Sequence, residues 1–480
     1  MAGERDSQMS YLFHPTILRA YDIRGEIGST LSAKDAYAIG RSFAQKLAAN
    51  IARKKATPPL IAVGRDGRTS SPELAGALMD GLCDSGADVI DIGVGATPML
   101  YFADRIFNCD GAIQVTGSHN PKQFNGFKLV AEHASFFGDD ILALAEIARD
   151  GWQTPEYKGK ITAQDITARY VDRLAETAEA EGLRIVWDCG NGATGPAVDQ
   201  LVQKLGGEHK TLYTEIDGTF PNHHPNPVDP ETLDSLRAEV AAFSADCGIG
   251  FDGDGDRIGL IDSKGRQIPG DILTAYLAMD ILAHNKGAEI IFDVKSSAMA
   301  MKLVESYSGQ ASLWKTGHSH MKKRLKERNA PLAGEMSGHI FIADGYYGFD
   351  DALFVACRLT AIMARTKQQT GKTIADFIDS LDNQIASPEC RIDCADEIKF
   401  QIMDRLTASF QQRFSDDQLN LIDGVRLTTD AGWCLIRPSN TEGALICRAE
   451  ASTHAAYDEL IALLKTELAA VDIDWQGPPQ

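Results

Sequence analysis

The sequence lacks any uninterrupted apolar run approaching the roughly 18–20 residues that a membrane-crossing helix needs. Residues 1–10 are polar and contain no apolar signal core, so neither export nor a membrane anchor is expected. Cysteine pairs at metal spacing are also missing. The nine cysteines are scattered, no C-x-x-C occurs, and the spacing of Cys390 and Cys394 fits no standard zinc pattern. Reduced thiols in the cytoplasm are therefore expected. Positive charge is in short supply: 47 Lys and Arg face 67 Asp and Glu, a formal net charge of −20. That deficit argues against nucleic acid or an anionic membrane as partner. It also means that any phosphate-binding pocket must gather its own arginines and lysines.

Apolar residues are not scarce. They make up 44% of 480 residues, enough for substantial cores, and a chain this long implies roughly three or four domains. Its densest chemical signal is Asp252-Gly253-Asp254-Gly255-Asp256-Arg257. In an extended segment, alternate side chains point the same way, so three carboxylates would crowd one side. A hard cation such as Mg²⁺ would relieve their repulsion, and the glycines would let backbone approach it. An acidic, glycine-rich run can also be a solvated turn. A calcium-binding EF-hand loop is excluded, because Arg257 stands at its sixth position and Ser263 at its twelfth. Apolar flanks, Ile249 and Phe251 before and Ile258, Leu260 and Ile261 after, place the acids at the tip of a buried strand pair.

Strand-like runs recur three times. The first set is 60–64, 88–93 and 111–115; the second is 184–188, 210–214 and the strand entering the acidic run; the third is 289–293, 312–315 and a segment ending at 334–339. Helix-length stretches such as 71–85 and 196–205 lie between them, which argues βαβ units and mainly parallel sheets. Each copy ends in a polar loop, and open α/β sheets place ligands at the carboxyl ends of their strands. Breaks near 158–161, 263–267 and 366–372 separate the copies. The last hundred or so residues, with an amphipathic helix near 399–414 and strands near 424–427 and 432–436, read as a smaller α+β domain.

The other loops fit the same chemistry. Residues 116–121 read T-G-S-H-N-P, and Ser118 is either part of a strand-ending turn or a nucleophile that needs activation. In residues 334–339, Glu335, Ser337 and His339 are suited to sugar hydroxyls, or close a turn around a buried histidine. Residues 437–443, R-P-S-N-T-E-G, combine a bidentate arginine with several donors and read as a phosphate clamp better than as a hairpin turn. Arg24, Arg65, Arg68, Lys128 and Lys295 lie near glycines or strand ends, where lone basic residues are most often merely solvated. His223 and His224 sit in a Pro/Asn-rich interdomain loop.

One motif points to a different enzyme class. Gly190, Gly192 and Gly195 follow a strand and open a helix, with Glu215 about twenty residues on, which completes a dinucleotide-binding fingerprint for an NAD-type oxidoreductase. A phosphate-binding loop of the Walker type fails at Gly371-Lys372-Thr373, because Thr366 stands where its first glycine belongs.

Taken in order, T-G-S-H-N-P, D-G-D-G-D-R, G-E-M-S-G-H and R-P-S-N-T-E-G resemble the α-D-phosphohexomutase superfamily from about Leu18 onward. The chain is most similar to its bacterial phosphomannomutase/phosphoglucomutase branch, with Met336 as the main pointer. Ala352 and His320 depart from the family pattern, outside the four motifs. The resemblance implies an α/β protein with three similar mixed α/β domains plus a smaller C-terminal α+β domain around a central cleft, divided as 1–160, 161–265, 266–370 and 371–480.

The implied reaction is reversible phosphoryl transfer between C1 and C6 of mannose or glucose phosphates. It would run through a phosphorylated Ser118 and a 1,6-bisphosphate, which also serves as activator. One Mg²⁺ would be held by Asp252, Asp254, Asp256 and the group on Ser118. Arg24, Lys128, His339 and Arg257 would surround the reacting atoms, with Lys128 or His339 moving the proton. Tyr21, Arg24, Lys295, His318, Glu335, Met336, Ser337, Gly338 and His339 would contact the sugar. Arg437, Pro438, Ser439, Asn440 and Thr441 would take the distal phosphate. The implied assembly is a monomer or homodimer.

Overall fold

Leu60-Ile61-Ala62-Val63 offers no polar face, and such a strand needs cover on both sides. The computed structural model describes residues 10–51, 57–439 and 443–479. In it, Leu60–Arg65 lies inside a sheet, parallel to Asp88–Val94 on one side and to Gly111–Val115 on the other. Phe124–Ala131 then returns antiparallel to Gly111–Val115, with Ile23–Glu26 beyond it. The core beneath this sheet joins Ile61, Val63, Ile113 and Val115 to Phe43, Leu78 and Leu82 from the helices Ala33–Ile51 and Ser71–Asp84.

The second sheet repeats the device. Cys247–Phe251 lies parallel to Arg184–Asp188, which in turn pairs in parallel with Glu208–Leu212; Ile258–Asp262 then returns antiparallel. In both sheets, therefore, the polar loop joins a parallel strand to an antiparallel one. The sharp reversal exposes loop backbone just where the strand's own ladder stops. The expected strand 210–214 begins two residues earlier, at Glu208. Ile161–Ala163, just past the first expected break, pairs with Asp88–Val94 and extends the first sheet. The helix Ala352–Thr370 stops at Gly371, which caps it with φ 72, a left-handed conformation that glycine adopts without strain. The apparent Walker remnant is thus a helix cap.

The chain divides into two compact units. One comprises Met1–Pro269, Ser337–Ile342 and Phe349–Ala375; the other comprises Gly270–Met336, Ala343–Gly348 and Asp376–Gln480. In the second unit, Gln310–Trp314, Glu289–Asp293 and Leu332–Gly334 run parallel. Its C-terminal part is an antiparallel sheet of Val425–Thr429, Gly432–Pro438 and Ala444–Ala451, packed on the helices Asp396–Arg413 and His454–Ala469. Among the described residues, no helix is long and apolar enough to cross a membrane.

Trp433 locks these two parts of the second unit together. It is fully buried, with the Arg426 guanidinium 3.8 Å and the Arg448 guanidinium 5.3 Å from its ring centroid. Arg426 donates to the carbonyls of Val294 and Ser296 at 2.6 and 2.8 Å, and Arg448 donates to the carbonyl of Lys295. Glu450 balances the charge, accepting from Trp433 Nε1 at 3.2 Å and Ser297 Oγ at 2.8 Å. Trp433→Ala leaves a large cavity beneath two buried guanidinium groups. It is expected to lower stability by about 3–5 kcal/mol in urea unfolding.

Candidate active site

Ser118 sits at the end of Gly111–Val115, where the strand's hydrogen bonds stop. Its φ of 49 is a left-handed conformation that non-glycine residues rarely adopt, so the surroundings must hold it there. Arg68 does much of this work. Fully buried, its guanidinium donates to the carbonyls of Ser118, Asn120, Pro121 and Phe124 at 2.6–3.0 Å. Asp66 pairs with Arg68 at 3.2 Å and accepts from the Thr116 hydroxyl and the Gly117 amide at 2.9 and 3.0 Å. These two residues, which in sequence look like ordinary surface charges, form the frame of the serine loop. Arg68→Met would leave four carbonyls and a buried carboxylate without their cation. Thermal and chemical unfolding should show a loss of about 3–5 kcal/mol.

Ser118 Oγ lies 3.0 Å from Asp252 Oδ2 and 3.2 Å from His119 Nδ1. Burial, reinforced by the charges of Arg257 and Arg24, holds the His119 imidazole well below its usual range and keeps it neutral. The serine thus faces one acceptor carboxylate and one neutral ring.

Asp252, Asp254 and Asp256 are completely buried, and one ligand oxygen from each lies within 4.8 Å of the others. Asp252 Oδ1 accepts from the amides of Asp256 and Arg257 at 3.1 and 3.2 Å, which turns the loop back on itself. Lys128 Nζ donates to Asp254 at 2.7 Å and to Asp256. Burial favours the neutral amine of Lys128, but Asp254 and Asp256 outweigh it and hold the ammonium above its ordinary range. Asp252 is pushed well above the carboxylate range by burial and by its two neighbours, whereas Lys128 draws Asp254 below it despite burial. Asp254 Oδ1 and Asp256 Oδ1 are buried without a hydrogen-bond partner. Two unpartnered carboxylate oxygens in an all-oxygen cluster fit a hard divalent cation.

His339 lies beside the triad. Arg257 Nε–H can only donate, so His339 Nε2, 2.9 Å away, must accept. The ring proton then falls on Nδ1, 3.1 Å from Asp350 Oδ2 and 3.7 Å from Asp256 Oδ1. Arg24 donates to Asn120 Oδ1 and Asp22 Oδ2, both at 2.5 Å, and its buried Nε–H has no partner. Tyr21 is buried nearby in sequence. The structure thus brings Ser118, Arg24, Lys128, Arg257, His339 and the three aspartates into the first unit. Ser337 and Gly338 belong to it as well, and the Gly338 carbonyl accepts from the Ile258 amide at 3.1 Å.

The remaining predicted residues lie in the second unit. Lys295 is buried and pairs with Glu389 at 2.8 Å; burial opposes its charge, but Glu389 and Asp293 raise the ammonium above its usual range. Glu335 accepts the Gly317 amide at 2.9 Å, just before His318 opens the helix His318–Arg328. The Met336 amide reaches toward Asp293 Oδ1 at 3.4 Å. Arg437 is buried with its Nε 3.0 Å from Asp423 Oδ2. Pro438 ends its strand, and the Ser439 carbonyl accepts from Lys399 Nζ at 2.6 Å. Asn440 and Thr441 lie outside the described residues. Glu389, Asp423 and Lys399 hold the predicted residues in place. No motif marks them, because their partners are distant in sequence.

The dinucleotide reading is overturned. The amides of Asn191, Gly192 and Ala193 donate to the carbonyls of Tyr213, Cys189 and Gly253 at 2.7–3.0 Å, so these three are not left for a pyrophosphate. A Cβ on Gly195 would stand 1.8 Å from the Thr214 carbonyl, and one on Gly192 would stand 2.9 Å from that of Gly253. Gly192 makes room for this chain's own acidic loop, and Gly195 for the segment at Thr214.

Fold and site together define a multidomain α/β protein that sets a strained serine against a buried carboxylate triad. Comparison with known proteins then places it. Residues 15–151, 168–265 and 269–381 match alpha/beta/alpha domains I, II and III of phosphoglucomutase/phosphomannomutase, and 389–465 match the C-terminal domain. The chain belongs to this family, within the α-D-phosphohexomutase superfamily. It is 42% identical over 465 residues to phosphomannomutase/phosphoglucomutase of Pseudomonas putida, covering 96% of this chain and 97% of that one. It is 38% identical over 449 residues to phosphoglucomutase of Neisseria gonorrhoeae, covering 92% and 95%. A crystal structure of a phosphoglucomutase/phosphomannomutase family protein from Burkholderia thailandensis superposes with a TM-score of 0.89 at 38% identity, covering 98% of this chain and all of that one.

Proposed function

We propose that this protein is a hexose phosphate mutase, an isomerase that moves a phosphoryl group reversibly between C1 and C6 of mannose or glucose phosphates. The observation that carries this reading is the position of Ser118 Oγ, 3.0 Å from Asp252, beside a buried triad with two unpartnered oxygens. The names of its relatives support the same activity. The matched regions support a division near 1–160, 161–265, 266–370 and 371–480, each part bringing one polar loop.

Ser118 would carry the phosphoryl group. A phosphoserine adds about −1.5 to −2 charge, which three buried carboxylates would repel. Mg²⁺ held by Asp252, Asp254, Asp256 and a phosphoryl oxygen would neutralise that charge as the group leaves. Arg257 and Arg24 bring further positive charge to the transferring oxygens. In transfer, the hexose hydroxyl oxygen bonds to phosphorus as the bond from phosphorus to Ser118 Oγ breaks. The hydroxyl gives up its proton and Oγ gains one, with Lys128 or His339 as the carrier. The product is a glucose or mannose 1,6-bisphosphate, which returns its other phosphate to Ser118 after reorienting. Tyr21, Lys295, His318 and residues 335–339 would hold sugar hydroxyls in either orientation. Arg437, Pro438, Ser439, Asn440 and Thr441 would hold the phosphate that is not reacting. All nine cysteines are buried and none is paired with another, which supports a cytoplasmic setting. The working form would be a monomer or homodimer.

The test is a side-by-side assay with mannose, glucose and glucosamine 1-phosphates. Turnover of mannose or glucose 1-phosphate to the 6-phosphate, well above that of the glucosamine ester, is expected. No turnover of either ends the reading.

A further inference from the structure

Residues 216–225 form no helix or strand, yet they cover the back of the serine loop. A Cβ on Gly67 would stand 2.1 Å from Ile216, and one on Gly218 would stand 2.5 Å from the Gly67 carbonyl. The Phe220 ring lies 5.3 Å from the Arg68 guanidinium, the cation that frames the serine loop. The His224 ring lies by the backbone of His119. Pro225 Cγ and the Ser118 carbonyl lie against the same point of Gly253, 3.4 and 2.7 Å from where its Cβ would stand. The strap therefore touches both the loop that carries Ser118 and the loop that carries the acidic triad.

One ion pair fastens its far end. His223 Nε2 is 3.0 and 3.1 Å from the two oxygens of Asp188, a buried carboxylate at the end of Arg184–Asp188. His223 Nδ1 is 3.0 Å from the His224 carbonyl oxygen. A carbonyl oxygen can only accept, and so can an ionised carboxylate, so both ring nitrogens donate and His223 is an imidazolium. Asp188 also accepts the Gly190 amide at 2.9 Å, and Gly190 leaves room for Pro225 and His223 to lie against it. The other charged or titratable groups around His223 are Tyr213, edge-on at 5.5 Å, and His224, itself flanked by Arg68 and Asp229.

We propose that the Asp188–His223 ion pair is a positioning device for phosphoryl transfer. It clamps the strap 216–225 onto the two loops, and so fixes Ser118 Oγ against Asp252 without touching substrate. This rests on the reading of Ser118 as the phosphoryl carrier. Burial opposes the charge on His223, but Asp188 more than compensates, so the imidazolium persists above the usual histidine range and is lost as pH rises through the raised value. The clamp is therefore fully set on the acid side and released on the alkaline side.

The glutamine of His223→Gln can donate to Asp188 but cannot donate at both ends. Its kcat should fall about tenfold with KM for hexose phosphate within twofold. In the wild type, kcat should fall as pH rises through the His223 titration followed by ¹⁵N NMR. A folded His223→Gln variant with unchanged kcat overturns the proposal. Should that variant not fold, a wild-type kcat limb that fails to coincide with the His223 titration overturns it equally. A wild type that never carries phosphate on Ser118 would instead sink the carrier reading. Phosphate on Ser118 with unaltered His223→Gln turnover removes only the positioning role.

Discussion

Ser118→Ala is expected to abolish interconversion of mannose 1- and 6-phosphate, with kcat/KM falling by at least about a thousandfold. The Ser118 Oγ is the group held 3.0 Å from Asp252, and the left-handed backbone that aims it there is fixed by Arg68 and Asp66. Alanine at this position keeps the loop's backbone bonds, so stability should change little, by about 1 kcal/mol or less. Lost turnover with an unchanged melting temperature separates chemistry from folding. A variant that keeps wild-type turnover removes Ser118 from the mechanism.

The second large effect is expected from the triad. Stripping divalent ions with a chelator should cost about 10²–10³-fold in kcat, and added Mg²⁺ should restore it. Asp254→Asn should lose a similar factor that Mg²⁺ at ordinary concentration does not recover. It removes both an unpartnered buried oxygen and the charge that Lys128 leans on. Turnover measured after chelation, across a Mg²⁺ titration, checks both. Full activity of the chelated protein would leave the two unpartnered oxygens without a chemical purpose. An asparagine variant that responds to Mg²⁺ like the wild type would place the ion elsewhere.

The chemistry-bearing loops are legible in the sequence because their residue types are unusual at strand ends. Three carboxylates alternating with glycine are costly to bring together unless a cation is to sit among them. The T-G-S-H-N-P loop is less telling by itself, since its composition also suits a plain strand-ending turn; its place in the repeat, matching that of the acidic loop, is what singles Ser118 out. The supports are not legible. Arg68 and Asp66 are a buried ion pair, but an arginine among glycines reads as solvated until its carbonyl partners, some fifty residues on, are in view. Arg437 stands out in its motif and Lys295 is implied by the resemblance, yet their fixing partners Asp423 and Glu389 belong to no motif. The proline and asparagine neighbours of His223 suggest an interdomain loop, whereas its ring is bound to Asp188. The dinucleotide fingerprint misleads for a related reason. Glycine spacing reports that something approaches the backbone closely, and here that something is the same chain: Pro225 at Gly190, Gly253 at Gly192 and Thr214 at Gly195. Strand 161–163 escapes notice because three exposed residues carry no apolar pattern.

The central claim is that the phosphoryl group passes through Ser118, and isotope transfer tests it most directly. The protein is charged with labelled hexose 1,6-bisphosphate, freed of excess, digested and analysed by mass spectrometry, in parallel with a chase by unlabelled mannose 1-phosphate. The label should sit on the peptide bearing Ser118 and move to the sugar within one turnover of the chase. An unlabelled Ser118 peptide in a protein that is turning over substrate would contradict the account.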